Sequence, residues 1–400
     1  MKYVMVIADG AADHPLNELG GRTPFEAARK PHTDALARAG ICGTAATTPP
    51  GFSAGSDICC LSLLGYDPAQ YHRGRSPLEA AALGVDLGPD DWVHRCNLVT
   101  IEDGIMIDHS AGHLPTEDGR RLLADLAAEV NVPGLEFHPG VSYRNLLADR
   151  GGRAYEGVTT VPPHDIPGEA AAAHLPGGGG NARLLRDIFE TSGKVFAGHE
   201  VNRRRAEAGL RPATHVWLWG SGQKPQMPAF ADLHGLRGGI ITAVDLLAGI
   251  GALIGFERID VPGITGYHDT DYAAKGRHAI EALDRLDLVV VHVEAPDEAS
   301  HQGDAATKIA SIEAIDTHVV GPLLTHLRAR GDASGWRMLY LPDHYTCVGN
   351  RKHDPTPVPF AMAGTSLPPD GAQAFTEREA AAGPRLERGH ELLPRFLRET

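Results

Sequence analysis

Cysteine is scarce in this 400-residue chain, which contains five cysteines, an odd number. The sequence has no Cys-x-x-Cys pair and no segment in which cysteine and histidine cluster. These absences argue against a disulfide framework and against a zinc–thiolate site. The pattern therefore predicts reduced thiols in a cytoplasmic protein.

Long hydrophobic runs are also lacking. The nearest approach is GIITAVDLLAGIGALIGF (239–256), which Asp245 and several glycines interrupt. A membrane span needs about 20 apolar residues, so a buried strand followed by a helix is the better interpretation. The first segment, MKYVMVIADG, has too short an apolar run for a signal peptide. We expect no membrane partner.

Positive charge is in deficit, since the formal net charge is −14. A chain with this excess of negative charge is not expected to bind nucleic acid or an anionic membrane surface. A small anionic substrate remains compatible with it, because a few local arginines can override the global charge. The sequence leaves the oligomeric state open.

The order of predicted elements indicates an α/β protein with an insertion. The length exceeds the roughly 150 residues of a typical domain. Near-continuous apolar strands alternate with helices in the first segment and again from about residue 214, which favours a doubly wound, mostly parallel sheet. The residues between these two segments are rich in glycine and proline and contain a mixture of short strand and helix candidates. We predict a core made of residues 1–87 and 213–400, and a smaller inserted α+β cap domain at 88–212.

Carboxylates and imidazoles follow three of the predicted core strands. The residues are Asp9, Asp297, His301, Asp343, His344 and, on the next loop, His353. Singly, each has an ordinary explanation, such as a helix cap, an exposed ion pair or a buried histidine. Together at the carboxyl edge of one sheet they would repel or be costly to bury without a cation. Mixed Asp/His sites suit Mn²⁺, Zn²⁺ or Mg²⁺, and two such ions about 4 Å apart can clamp a transferring phosphoryl group.

Ser56 stands where a glycine-rich loop, PPGFSAG, enters a predicted helix. Unpaired backbone N–H groups and the helix dipole favour a phosphate at such a position, and a nearby metal would favour the serine alkoxide. The alternative is that Ser56 only caps the helix.

These residues lie in motifs that resemble a known family. The motifs include ADGAADHPLNELGGRTPFEAARKPHTDALARAG, GSDICCLSLLGYDP, YHRGRSPLEAAALG, DHSAGHL, GVSYRNLL, THVWLWGSGQKPQMPAF, GIITAVDLLAGIG and EAPDEASHQGD. In this order they resemble the alkaline phosphatase superfamily and, more closely, the archaeal-type cofactor-independent phosphoglycerate mutases. The resemblance extends from the first strand to about residue 360.

The resemblance implies a role for each core residue. Ser56 would be the nucleophile that becomes phosphoserine. One divalent ion would be held by Asp9, Ser56, Asp343 and His344, and a second by Asp297, His301 and His353. Lys224 would contact the transferring phosphoryl group. The implied cofactors are two divalent ions, with Mn²⁺ favoured and Mg²⁺, Zn²⁺ or Co²⁺ also compatible, and no bisphosphoglycerate.

The resemblance also implies a substrate, a small phosphorylated carboxylate. His113, Arg144 and Arg205, with Arg75 as a weaker candidate, would hold the carboxylate or phosphate of the glycerate, since arginine forks match both groups. Ser56 would take the phosphoryl group from 3-phosphoglycerate and return it to the 2-oxygen, while the cap excludes water.

Two alternatives stay open at this point. One is a relative that has the same metal core and catalyses a different reaction, as a phosphohydrolase, another phosphomutase or a homoserine-kinase-like phosphotransferase. The other is a catalytically silent metal-binding scaffold. Cys59 and Cys60 stand where the family usually has small or polar residues. Cys59 would either make the enzyme sensitive to oxidation or, more simply, pack as a small buried thiol under the helix.

Overall fold

The computed structural model describes residues 1–330 and 335–398, which divide into two compact units. The core unit comprises Met1–His72 and Met227–Thr400, and the inserted unit comprises Arg73–Gln226. The sequence pattern predicts 88–212 for the insertion. The inserted unit begins earlier and ends later because the segments on either side of that range belong to its own sheet and helices.

The secondary structure is mixed throughout. The strands are β1 (Lys2–Ala8), β2 (Ile41–Ala45), β3 (Trp92–Glu102), β4 (Ile105–Asp108), β5 (Leu135–His138), β6 (Arg144–Asp149), β7 (Val158–Thr159), β8 (Gly177–Gly178), β9 (His215–Gln223), β10 (Gly238–Ile241), β11 (Glu257–Arg258), β12 (Leu288–Val293), β13 (Trp336–Leu341), β14 (Tyr345–Cys347), β15 (Lys352–Asp354), β16 (Val358–Gly364) and β17 (Arg385–Leu386). The helices are α1 (Pro24–Ala27), α2 (Pro31–Arg38), α3 (Ser56–Leu63), α4 (Pro68–Tyr71), α5 (Ser76–Ala82), α6 (Thr116–Val130), α7 (Ala182–Phe196), α8 (Glu200–Glu207), α9 (Phe230–His234), α10 (Asp245–Leu253), α11 (Tyr272–Ala282), α12 (Ala295–Gln302), α13 (Ala305–Ile315), α14 (Gly321–Ala329), α15 (Glu377–Ala382) and α16 (Leu392–Leu397).

The core unit is built on one large sheet, with the strand order β11–β10–β12–β1–β13–β16–β2–β17. Strand β16 is antiparallel to both of its neighbours, and every other neighbouring pair is parallel. The central strands are apolar on both faces because both are covered, as is typical of parallel sheets. The predicted mostly parallel α/β sheet is confirmed.

Helices pack on both faces of this sheet. Alternate residues of β1, such as Val4 and Val6, join a buried cluster with residues of α2, α13 and α14. On the opposite face Tyr3 packs edge-on against Phe396 of α16, with ring centroids 5.7 Å apart. The segment 239–256 forms the expected strand and helix, β10 and α10. Among the described residues no helix is long and apolar enough to cross a membrane.

The inserted unit carries its own five-stranded antiparallel sheet, in which β3 pairs with β4, β6 and β9, and β5 pairs with β6. Helix α5 packs on this sheet through Ala80, beside Val93 and Leu146. The glycine run at 177–180 contributes β8, which pairs with β7. These pairings explain why the unit takes in residues on both sides of 88–212.

Arg337 ties the chain's last helix to the middle of the core sheet. Its guanidinium is fully buried and donates to the carbonyl oxygens of Thr365 (2.8 Å), Phe396 (2.8 Å) and Arg398. One buried side chain therefore donates to three backbone carbonyls beside β13.

We predict that Arg337→Met lowers the free energy of unfolding by about 3 kcal/mol, because one buried and two partly buried carbonyl oxygens lose a charged donor. The matched control is Arg395→Met in the exposed part of α16, which should change stability by less than about 0.5 kcal/mol. Urea unfolding monitored by circular dichroism measures both. Equal effects of the two substitutions would contradict this role for Arg337.

Candidate active site

Three carboxylates meet at one edge of the core sheet. Asp9 directly follows β1, Asp343 follows β13, and Asp297 lies in the first turn of α12 after β12. Strands β12, β1 and β13 are parallel neighbours, so their carboxyl ends lie at the same edge. This is the edge at which open α/β sheets bind ligands.

One group of candidate ligands surrounds the serine hydroxyl. The ligand atoms of Asp9, Asp343 and His344 lie within 4.8 Å of one another. His344 Nε2 is 3.5 Å from Asp9 Oδ1 and 3.3 Å from Asp343 Oδ2. Ser56 Oγ lies 3.2 Å from His344 Nε2 and 3.5 Å from Asp9 Oδ2. The structure thus brings together all four residues expected at the first metal position.

A second group forms around Asp297. Its Oδ2 lies 3.3 Å from His301 Nε2, and its Oδ1 lies 3.4 Å from His353 Nε2. The two imidazole Nε2 atoms are 3.0 Å apart. The ring of His353 also stacks on that of His344, with centroids 4.0 Å apart, so the two groups adjoin.

Backbone carbonyls orient two of these imidazoles. His301 Nδ1 lies 3.0 Å from the Arg351 oxygen, and His353 Nδ1 lies 3.1 Å from the Ala54 oxygen. A carbonyl oxygen only accepts, so each Nδ1 carries the hydrogen and each neutral Nε2 presents a lone pair. When both rings are neutral, these lone pairs face each other at 3.0 Å, an arrangement that a nearby cation stabilises. A hydrogen bond from Nδ1 to a backbone carbonyl, as in both of these rings, is the usual way in which a metal-binding histidine is oriented.

Unbalanced negative charge around Asp9 also favours a bound cation. Burial raises the pKa of Asp9 well above its usual value, and the nearby carboxylates of Asp343 and Asp297 raise it further. Its Oδ1 atom is buried and has no hydrogen-bond partner among the described residues. A divalent ion would supply both the missing charge and the missing partner. The oxygen and nitrogen donors suit Mn²⁺, Mg²⁺, Zn²⁺ or Co²⁺.

Gly10 allows these groups to come together. It has a φ of +60°, and a Cβ atom there would lie 2.5 Å from Thr346 Oγ1 and 2.6 Å from Asp297 Oδ1. Thr346 donates its hydroxyl to Asp297 Oδ1 at 2.5 Å. Only glycine combines the left-handed backbone with this close approach.

Ser56 is the first residue of α3, and the helix does not use its hydroxyl. The N-cap residue is Gly55, and no side chain caps the helix. The capping interpretation of Ser56 is therefore wrong, and its Oγ is left facing Asp9 and His344. Behind it, burial raises the pKa of Cys59 to about 12, so this thiol stays protonated and packs beneath the helix.

A buried polar chain supports Asp9 from behind. His292 Nε2 lies 3.0 Å from Asp9 Oδ2, and His292 Nδ1 lies 3.0 Å from Glu294 Oε1. The other oxygen of Glu294 accepts from Lys275 Nζ at 2.8 Å, and Lys275 also donates to the His292 carbonyl at 2.7 Å. All of these side chains are buried. Glu294 is therefore no solvated acid; it fixes the imidazole that contacts Asp9.

The inserted unit holds a basic, aromatic cluster. The guanidinium of Arg144 lies 5.5 Å from the Tyr143 ring centre, and His113 meets the same ring at 6.0 Å. The Arg95 guanidinium lies 4.1 Å over the Trp219 ring and 2.9 Å from Glu79.

Two other arginines, Arg75 and Arg144, lie near enough to Arg95 to affect its pKa. Burial lowers the pKa of Arg95, Glu79 opposes this effect, and the positive charges of Arg75 and Arg144 lower the pKa further. Arg75, Arg95 and Arg144 therefore lie near one another, with one opposing carboxylate in Glu79, and His113 shares the Tyr143 ring with Arg144. This excess of arginine can attract an anion.

Arg205 directs its guanidinium at backbone carbonyls. Its side chain is buried and donates to the carbonyl oxygens of Arg211 and Ala111, both at 2.9 Å. It therefore braces the loop that carries His113. Lys224 follows β9, and its Nζ lies 3.2 Å from Asp86 Oδ1 of the same unit.

Sequence reasoning missed several of these residues. His292 gave a signal, since it is a polar residue inside the apolar run VVVHV. Lys275 gave none, because a lysine on an amphipathic helix is ordinarily exposed. Arg95 was equally hidden within β3, where only the sheet register brings it next to Trp219.

Comparison with known proteins places the chain in a family. Residues 37–202 match the family model described as 2,3-bisphosphoglycerate-independent phosphoglycerate mutase. The protein of that name from Methanothrix thermoacetophila is 49% identical over 383 residues, covering 96% of each chain. A second one, from Methanothermobacter thermautotrophicus, is 48% identical and covers 96% of this chain and 94% of its own.

Solved structures agree with this assignment. A protein from Pyrococcus horikoshii matches with a TM-score of 0.83 at 28% identity, covering 99% of this chain and 96% of that one. The cofactor-independent phosphoglycerate mutase of Thermoplasma acidophilum matches with a TM-score of 0.69 at 25% identity, covering 99% of both chains. The extent and identity of these matches show that the chain belongs to the 2,3-bisphosphoglycerate-independent phosphoglycerate mutases, a family of isomerases.

Proposed function

We propose that the protein interconverts 3-phosphoglycerate and 2-phosphoglycerate through a phosphoserine at Ser56, beside a binuclear metal centre. The observation that carries this proposal is the position of Ser56 Oγ. It is the first side chain of α3, is not used as a cap, and lies within 3.5 Å of both Asp9 and His344. A hydroxyl held beside a carboxylate and an imidazole, and not used as a helix cap, is suited to nucleophilic attack.

The candidate ligands divide into two sets. Asp9, Ser56, Asp343 and His344 would hold one divalent ion, and Asp297, His301 and His353 would hold the other. The ions would supply positive charge that favours the ionised serine and the phosphoryl oxygens. The facing Nε2 atoms of His301 and His353 and the unpartnered Asp9 Oδ1 support this division. Mn²⁺ is the proposed occupant.

The reaction then has two balanced half-steps. A bond forms between Ser56 Oγ and phosphorus as the bond between phosphorus and the 3-oxygen of the substrate breaks, and the serine proton ends on that oxygen. In the return step the 2-oxygen attacks, and its proton ends on Ser56 Oγ. The backbone N–H groups at the start of α3 favour the phosphoryl oxygens in both steps.

Substrate binding is assigned to the inserted unit. Arg144, Arg75 and His113 would hold the carboxylate or phosphate of the glycerate, supported by their shared positive region. Lys224 would contact the phosphoryl group during transfer. Arg205, the remaining sequence candidate, would act through the His113 loop, since its guanidinium is committed to carbonyl oxygens. The reaction belongs to glycolysis, and we place it in the cytoplasm, in keeping with five free cysteines.

A phosphohydrolase or another phosphotransferase with the same core is the alternative. We predict that the purified protein with Mn²⁺ forms 2-phosphoglycerate from 3-phosphoglycerate in an enolase-coupled assay without bisphosphoglycerate. Ser56→Ala should abolish turnover, because the phosphoryl acceptor is gone, while metal binding persists. Ser53→Ala, in the exposed loop before the helix, should retain activity. Release of inorganic phosphate in place of 2-phosphoglycerate would favour the hydrolase.

Arg144 provides a test of substrate binding. We predict that Arg144→Met raises KM for 3-phosphoglycerate roughly tenfold or more, since a charged hydrogen bond is lost. The value of kcat should change little if the arginine binds ground state and transition state alike. The control is Arg183→Met on α7, whose side chain is 87% exposed. An unchanged KM would remove Arg144 from the substrate site.

Glu294 is proposed as a positioning residue for Asp9. We predict that Glu294→Gln lowers the free energy of unfolding by roughly 3 kcal/mol, because Lys275 is left buried without its counter-charge. It should also weaken Mn²⁺ binding by about 10- to 100-fold, since His292 loses its anchor. Equilibrium dialysis and urea unfolding measure the two effects.

Glu281→Gln, at an exposed position of the helix that carries Lys275, is the matched control for Glu294→Gln. It should leave both quantities unchanged. A loss of stability in Glu294→Gln with normal Mn²⁺ affinity would show that the buried chain is purely structural.

A further inference from the structure

A third group of metal-type side chains lies outside the centre described above. His14, Cys347 and Asp354 offer one nitrogen, one sulfur and one oxygen within 4.8 Å of one another. His14 Nε2 and Asp354 Oδ2 are 3.6 Å apart. None of the three belongs to the ligand sets proposed for the phosphoryl-transfer centre.

The β14–β15 hairpin explains why this group is separate. Side chains alternate between the two faces of a strand. Thr346 pairs with His353 across the hairpin, and both point toward Asp297. Cys347 and Asp354 occupy alternate positions and share the opposite face. One hairpin therefore presents a set of ligands on each side.

A buried ion pair holds the two parts of the group in register. Lys308 Nζ is fully buried and contacts Asp13 Oδ2 at 3.0 Å and the Thr346 carbonyl oxygen at 2.7 Å. Asp13 Oδ2 also accepts from the Val348 amide at 3.0 Å, and Asp13 Oδ1 accepts from the His14 amide at 2.8 Å. The loop that carries His14 is thereby fastened to the hairpin that carries Cys347.

The ligand atoms themselves are oriented. Asp354 Oδ1 accepts from the backbone amide and the hydroxyl of Thr356, which leaves Oδ2 toward His14. The His14 ring packs on that of Tyr345, with centroids 5.3 Å apart. The Cys347 thiol is buried and forms no disulfide.

We propose that His14, Cys347 and Asp354 form a third metal site, selective for Zn²⁺ or a similar thiophilic ion. Bonds of about 2.0–2.3 Å in a tetrahedral site imply donor atoms roughly 3.5 Å apart, close to the His14–Asp354 separation. A thiolate ligand selects zinc over Mg²⁺ or Mn²⁺. The side chains of His14 and Asp354 are 52% and 34% exposed, which leaves a fourth position for water.

Binding at this site requires loss of the thiol proton. Burial, with the charges of Asp13 and Asp354, raises the pKa of Cys347 to about 11. As the sulfur–metal bond forms, the S–H bond breaks and the proton passes to solvent. Sequence spacing could not reveal the site, because His14 lies near the start of the chain and the other two residues near its end.

Co²⁺ provides the test, because cobalt bound to a thiolate gains a near-ultraviolet charge-transfer band that oxygen and nitrogen ligands do not give. The metal-free full chain, titrated with Co²⁺, should develop this band. Zn²⁺ should abolish it by displacement, and excess Mn²⁺ should not. Cys347→Ser should eliminate the band, and His14→Ala should weaken Co²⁺ binding at this site at least tenfold.

Controls separate this site from the other thiols and from the mutase reaction. Cys42→Ser, at a buried thiol elsewhere in the core unit, should keep the band. His14→Ala should retain turnover with Mn²⁺, since His14 is outside the proposed catalytic set.

The proposal is overturned if the wild-type chain shows no band, or if the band survives in Cys347→Ser. Loss of the band in Cys60→Ser alone would place the thiolate at the neighbouring cluster of Cys60, His292 and Asp343 and would also overturn it. If Cys347→Ser fails to fold, His14→Ala decides, because that residue is exposed. The band does not depend on turnover, so its outcome is independent of the proposed mutase mechanism.

Discussion

Repulsion among three converging carboxylates, two of them fully buried, governs the structure of the core unit. Asp9, Asp297 and Asp343 meet because β12, β1 and β13 run parallel and end at one edge. Close like charges in a medium of low polarity cannot all remain ionised without compensation. The surrounding structure supplies part of it, through imidazoles whose Nε2 atoms face inward and through His292, held by Glu294 and Lys275.

The remaining imbalance explains the local geometry. The unpartnered Asp9 oxygen and the opposed nitrogens of His301 and His353 are unfavourable in an empty protein pocket and favourable around cations. Gly10 is required because any side chain there would fill the space in which these groups converge. Ser56 then lies at a point where charge compensation and a helix N-terminus act on the same hydroxyl.

Much of this arrangement could be predicted from the sequence, for a physical reason. Apolar strands followed within four residues by Asp9, Asp297 or Asp343 identify both the sheet and its ligand-binding edge, because parallel strands align their carboxyl ends. The limits of the insertion could not be predicted. They depend on the pairing of β9 with β3 and on the packing of α5, which are contacts between residues distant in sequence.

The burial of individual charged side chains could not be predicted from the sequence either. Arg205 has the chemistry of an anion-binding residue, yet its guanidinium donates hydrogen bonds to two backbone carbonyls. A glutamate that follows a strand is ordinarily exposed to solvent, yet Glu294 is buried together with Lys275.

The two units divide the chemical demands between them. The core unit concentrates negative charge and so requires cations, whereas the cluster of the inserted unit is positive and suits anions. Phosphoryl transfer needs the first property, and choice among phosphorylated acids needs the second. On the proposed assignment of substrate binding to Arg144 and its neighbours, a change of substrate would need changes in the inserted unit and none at the sheet edge. The Arg144→Met substitution and the substitutions around Asp9 therefore probe separate properties, anion binding in one unit and cation binding in the other.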